Sequence, residues 1–210
     1  MSTMLWLIGV GVLLGPGLVA VAERSLGSRQ GPCSSCVVVL VAASVGCAVL
    51  FAVGWARFGP GPVAVAWCWA CAMSCVLTIT DVRSGRLPFP IVAAMTAGGL
   101  ACLTMAAAAE NRWTNLGFAC GAALGVLAMA AAVQAVAPEH TGGGDTALYG
   151  AVALYLGWFG WNVLATGLLL AAGLTAVVAI AVAVVTHQAR ARFPAGPSVL
   201  AGALLGMLFA

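Results

Sequence analysis

Eight apolar runs, separated by short polar or glycine–proline stretches, organise the chain. They cover about 4–22, 37–56, 63–80, 91–109, 116–137, 146–157, 162–186 and 198–210. A helix that crosses a bilayer needs ~20 apolar residues, and most of the runs have that length. The apolar stretch that follows Asp145 continues to Thr186, too far for one crossing at ~1.5 Å per residue. Gly157-Trp158-Phe159-Gly160-Trp161-Asn162 divides it, because tryptophans favour the membrane interface. Gly59-Pro60-Gly61-Pro62 reads as a turn, and Gly15-Pro16-Gly17 as a kink in the first run. Ala20-Val21-Ala22 imitates a signal-peptidase site, but Met1-Ser2-Thr3 carries no basic residue, so the first run reads as an uncleaved span. The pattern predicts an all-α, polytopic helical membrane protein with about eight transmembrane helices. Residues 1–62 form two N-terminal spans with a short loop, and residues 63–210 a six-helix core.

Composition agrees with that pattern. Hydrophobic residues make up 63% of the chain and charged residues 6%, too few to cover a soluble domain of 210 residues. The net charge is +3, every basic residue is Arg, and no basic patch is interleaved with aromatics, which excludes a nucleic-acid partner. The arginines instead report orientation. With the N-terminus outside, Arg24, Arg29, Arg83, Arg86, Arg190 and Arg192 fall on the cytoplasmic side, and Arg57 and Arg112 outside, as the positive-inside rule requires. Cys47, Cys68, Cys71, Cys75, Cys102 and Cys120 lie in apolar runs and read as small hydrophobes, with Cys68, Cys71 and Cys75 sharing one helix face suited to a helix contact. Cys33-Ser-Ser-Cys36 sits in a polar loop; a tetrahedral zinc site wants four ligands, so no metal is expected there, the alternatives being zinc shared in a dimer and a disulfide.

The chain has only two aspartates, Asp81 and Asp145. Each stands at the boundary of an apolar run, Asp81 in a loop-like stretch that continues through Val82-Arg83-Ser84-Gly85-Arg86-Leu87-Pro88, Asp145 after the glycine run Gly142-Gly143-Gly144. Carboxylates at membrane depth are costly and point to function. The fourth and fifth spans lie between them, an even number, so both fall on the same, cytoplasmic side. Two close carboxylates share one proton. The ionised member then takes a proton from water while the protonated member polarises a scissile carbonyl, with no cofactor. The glycines let backbone approach closely and give Asp145 freedom to reach Asp81. The alternative for Asp145 is an N-cap of the sixth helix, and for Asp81 a residue that merely ends a span.

At these residues the chain resembles the type IV prepilin peptidases, GxGD-class membrane aspartic proteases. The first motif corresponds to Asp81, Arg83, Arg86, Leu87 and Pro88, the second to Gly142, Gly144 and Asp145. A later basic loop and Pro-x-Gly-Pro element correspond to Arg190, Arg192, Pro194, Gly196 and Pro197. The resemblance covers about 60–210. It implies catalytic Asp81 and Asp145, an active-site loop at Gly142, Gly143 and Gly144, and no metal or cofactor. The implied substrate is a prepilin or pseudopilin cut after the glycine that ends a short basic leader, at the cytoplasmic face of the bacterial plasma membrane. Residues 23–36 are far shorter than the zinc-binding insert of larger members, so N-methyltransferase activity is not expected. Ala147 stands where the family usually has Lys, and Phe89 where it often has Asn.

Glu139, His140 and His187 read as loop residues, and Glu110 as lying on the opposite face from the aspartates. Trp158 and Trp161 read as an interfacial belt, and Trp67 and Trp69 as core or lipid-facing. Arg83 and Arg86 read as orientation signals rather than as groups that bind a basic leader. The bilayer is an expected partner; the sequence leaves the oligomeric state open. Two other readings use the same residues. One is a small ion-coupled transporter with Asp81 and Asp145 as ion ligands, which such proteins usually hold near the bilayer midplane. The other is a catalytically inactive homologue in pilus or secretion assembly.

Overall fold

The computed structural model describes residues 35–136, 142–187 and 194–210, with Ala20. The first apolar run apart from Ala20, with its kink, and Cys33, Glu139, His140, Arg190 and Arg192 lie outside the described residues, whereas Cys36 falls in the first helix rather than in a loop. Among those described there are seven helices and no strand: α1 Ser35–Phe58, α2 Pro62–Ser84, α3 Phe89–Glu110, α4 Trp113–Val136, α5 Gly143–Trp158, α6 Trp161–Thr186 and α7 Gly196–Leu208. Five are long and apolar enough to cross a membrane: α1 over Val41–Phe58, and all of α2, α3, α4 and α6. This is the architecture of a multi-pass membrane protein. The sixth expected span is α5, with 16 residues. At ~1.5 Å per residue that is about 24 Å, short of a ~30 Å hydrocarbon core.

Helices α2, α3, α5 and α7 close a four-membered ring, each packing on the next and α7 returning to α2. Helix α1 lies outside against α2, α4 against α5 and α3, and α6 against α7 and α5. The centre of the molecule is α5, buried without interruption from Gly150 to Trp158. A helix that is apolar all round belongs inside. Trp158 is therefore not an interfacial residue: it is 1% exposed, and its carbonyl accepts a hydrogen bond from Asn115 Nδ2 at 3.0 Å. Trp161 is 68% exposed. Trp67 is core at 2% exposure, and Trp69 is half-buried with its indole against α3 carbonyls.

Glycine lets α6 and α7 approach closely. A methyl group built on Gly202 of α7 would lie 2.4 Å from Ala171 Cα of α6, and one on Gly206 would lie 2.6 Å from Gly167 Cα. Small residues four apart let two apolar helices touch through their backbones. The Thr175 and Ser198 hydroxyls, 2.8 Å apart, join the same two helices near the start of α7. This holds the N-terminus of α7 in place, which matters for the site below.

The up-and-down course puts the C-terminus of α2 and the N-termini of α3, α5 and α7 at one end of the bundle. The other end is closed by Arg57, which donates to the carbonyls of Leu208 and Ala210, by stacked Phe58 and Phe159 rings 5.5 Å apart, and by the Glu110–Arg112 ion pair at 3.3 Å. Glu110 thus lies away from the aspartates, as expected from the sequence. The C-terminal residue of α6 is followed by exposed His187 in the left-handed conformation, φ 52°.

Candidate active site

Asp81 is not in a loop. Helix α2 continues past it to Ser84 and is ended by Gly85, whose φ of 60° is the left-handed conformation that closes helices. The Gly85 N–H returns to the Asp81 carbonyl at 2.7 Å. The aspartate is consequently in the last turn of a helix and only 5% exposed. Carbonyl dipoles at that end oppose an anion. The opposing field is met from α7: the Gly196 N–H, in the first turn of that helix, donates to Asp81 Oδ2 at 2.8 Å. An N–H at a helix N-terminus is a favourable partner for a carboxylate.

Asp145 is not the N-cap of α5. Gly142 holds that position, with φ −84° and ψ 150°, and Asp145 stands three residues later. Its carboxylate accepts a hydrogen bond from the Gly142 N–H, one half of a capping box. Both aspartates therefore lie at helix N-termini, Asp145 at its own and Asp81 at that of α7. They are close enough for the charge on Asp81 to act on Asp145.

Leu87 is where the three sequence motifs meet. A methyl group on Gly144 would lie 2.5 Å from the Leu87 carbonyl oxygen, and one on Gly196 would lie 3.3 Å from Leu87 Cδ2 and 2.7 Å from Asp81 Oδ2. The stretch after Asp81 is thus gripped between the starts of α5 and α7. The glycine run does not use glycine's conformational freedom, since Gly142, Gly143 and Gly144 have no positive φ. What the site requires is absence of a side chain at Gly144.

Sequence reasoning missed Gln134 and Thr146. Buried Thr146, next to Asp145, donates to Gln134 Oε1 of α4 at 2.7 Å. A methyl group on Gly143 would lie 3.8 Å from Gln134 Nε2, so the amide also sits over the glycine turn. A single Gln in the otherwise apolar second half of α4 was the available signal. Phe89 points outward at 66% exposure, and Ala147 packs partly buried against the core; neither carries a polar group to the pair. Among the described residues no cluster of three or more His, Cys, Asp or Glu side chains gathers to hold a metal.

Burial pushes the Asp145 carboxyl above the ordinary aspartate range and the Asp81 charge pushes it further, while the Gly142 N–H pulls it down. Above the ordinary range an unfolded Asp145 has lost its proton and the folded one still holds it. Unfolding then releases a proton, so folding stability falls as pH rises through that window. Asparagine has no proton to lose. Thermal unfolding in detergent between pH 4 and 8 should show wild type losing stability relative to Asp145→Asn as pH rises. A difference that stays constant across that range would exclude a raised carboxyl.

The class defined by fold and site is a helical, multi-pass membrane protein with a paired-carboxylate cluster at one end of the bundle. No family model, curated protein or solved structure matches the chain.

Proposed function

We propose that the chain is a membrane aspartic endopeptidase that removes the leader peptide of type IV prepilin-like or pseudopilin substrates. The observation that carries this reading is the meeting of Asp81 and Asp145, from different helices, within electrostatic reach at one end of the bundle. Each carboxylate is held by a backbone N–H, from Gly196 and Gly142 respectively. Backbone donors fix the orientation of both acids without neutralising them, which leaves a shared proton as the way to relieve their repulsion.

In the proposed reaction the ionised carboxylate takes a proton from water, and the hydroxide so formed adds to the peptide carbonyl. The protonated carboxyl hydrogen-bonds to that carbonyl oxygen as charge develops on it. The first acid then returns its proton to the leaving nitrogen, the C–N bond breaks, and the pair regains its single shared proton. No metal or covalent intermediate enters. The pair lies at an end of the bundle rather than at mid-height, which suits a substrate whose scissile bond precedes a hydrophobic helix lying in the bilayer. It suits an ion-coupled transport site less well. Arg83 and Arg86 stand at the aspartate end of the bundle, so the positive-inside rule makes that end cytoplasmic in the bacterial plasma membrane, with the N-terminus outside.

The test is co-expression with candidate prepilins, read as a leader-sized shift on gels. Wild type should cleave, and Asp81→Asn and Asp145→Asn should each fall to background while still inserting in the membrane. Cleavage by both variants at the wild-type rate would remove the peptidase reading. Absence of cleavage by wild type across all prepilins encoded with it would leave the inactive-homologue reading in its place.

A further inference from the structure

The Cys47 and Cys75 sulfurs are 3.2 Å apart across the α1–α2 interface, and Cys75 stands six residues before Asp81 on α2, about 9 Å along the helix. The register that brings them together is fixed. The Trp67 indole of α2 lies where a methyl group on Gly54 of α1 would stand, 2.0 Å from that position, and its Nε1–H donates to the Leu50 carbonyl at 2.7 Å. Trp67 is eight residues before Cys75 and Gly54 seven after Cys47, so the packed tryptophan sets the sulfur pair about two turns further along. The two thiols differ in access. Cys47 is 0% exposed, whereas Cys75 is only partly buried.

We infer that Cys47 and Cys75 form a thiol pair that a membrane-soluble hydroperoxide converts to a disulfide, a reversible covalent staple between α1 and the ring. The accessible Cys75 sulfur attacks the hydroperoxide, the O–O bond breaks, and an alcohol leaves with the thiol proton while Cys75 becomes a sulfenic acid. The Cys47 sulfur displaces the hydroxyl from it, the S–S bond forms, and water leaves. In sum two thiols are oxidised by two electrons and one hydroperoxide is reduced to alcohol and water. Closing from 3.2 Å to the ~2.05 Å of a disulfide needs only a small approach of the two helices. Helix α1 packs chiefly on α2, so until it is reduced the staple locks the contact that holds α1 to the ring. The Asp81 end of α2 is left uncrossed, and the inference stands apart from the peptidase reading.

Membranes holding the full chain would be treated with cumene hydroperoxide, remaining thiols alkylated, and the protein digested with trypsin and read by mass spectrometry without reductant. Trypsin cuts after Arg29, Arg57 and Arg83, so the staple joins peptide 30–57 to peptide 58–83. The linked pair should appear in wild type and vanish on reduction. It should be lost in Cys47→Ala and in Cys75→Ala, and kept in Cys71→Ala and in a Cys33→Ala/Cys36→Ala double variant, all judged monodisperse in detergent. Absence of the link in wild type would overturn the inference, and so would its survival without Cys47 or without Cys75.

Discussion

Gly196→Ala is expected to lower cleavage about 100-fold, close to the loss on Asp81→Asn, although Asp81 itself is untouched. The added methyl group would lie 2.7 Å from Asp81 Oδ2, inside any normal contact distance. Either the carboxylate rotates away or the start of α7 lifts. The second route is resisted by Gly202 and Gly206, which fit α7 against the α6 backbone, and by the Thr175–Ser198 contact. In both cases the Gly196 N–H loses its 2.8 Å bond to the carboxylate, and Asp81 loses the donor that offsets the carbonyl end of its own helix. A hydrogen bond to a charged group is worth about 1.5–3 kcal/mol, so a fall in thermal stability should accompany the loss. Cleavage assays on folded protein decide the matter. A well-folded Gly196→Ala variant that cleaves like wild type would mean that the α7 clasp has no part in the proposed reaction.

The clasp was legible in part. The Pro-x-Gly-Pro element, the two aspartates and the glycine run were all visible as breaks in an apolar pattern. Their arrival at one end followed from an even number of crossings between Asp81 and Asp145. Most helix limits fell within about three residues of the apolar runs, because Gly59-Pro60-Gly61-Pro62, Pro88 and the Gly157–Asn162 stretch are strong punctuation in apolar sequence, but α2 runs four residues past its expected end at 80. The division of the last long run held at Trp158 and Trp161, although Trp158 is buried rather than interfacial.

What failed failed physically. An aspartate at the C-terminal end of a helix runs against the dipole, so the sequence favours a loop at Asp81; the compensating N–H comes from residue 196 and has no local trace. Trp158 carries the composition of an interface residue, yet it closes the buried core of α5 at the far end of the bundle. The Thr146–Gln134 bond joins two helices whose pairing no single sequence reveals. The N-cap reading of Asp145 erred by three residues because Gly142, with no side chain to cap, left its N–H to be satisfied from inside the helix.

Of the three glycines before Asp145, only Gly144 should be irreplaceable. A methyl group there would meet the Leu87 carbonyl oxygen at 2.5 Å and Leu87 Cβ at 2.8 Å. The first of these is backbone, which cannot swing aside as a long side chain can. Relief requires moving the start of α5, which carries Asp145, or the stretch between Asp81 and Pro88. Overpacking of this kind costs about 1–3 kcal/mol of stability, and either movement displaces one aspartate from the other, with a loss of cleavage of about 100-fold. Gly142→Ala and Gly143→Ala meet only ordinary contacts, 3.5 Å to Asp145 Oδ2 and 3.8 Å to Gln134 Nε2. Neither position has a positive φ, so both variants should keep activity within a few-fold of wild type and leave the unfolding temperature nearly unchanged. The same cleavage assay and unfolding measurement on the three alanine variants separates the two explanations of the run. Equal damage at all three would mean that flexibility of the turn matters, whereas damage confined to Gly144 means that the run exists to let one backbone lie against Leu87.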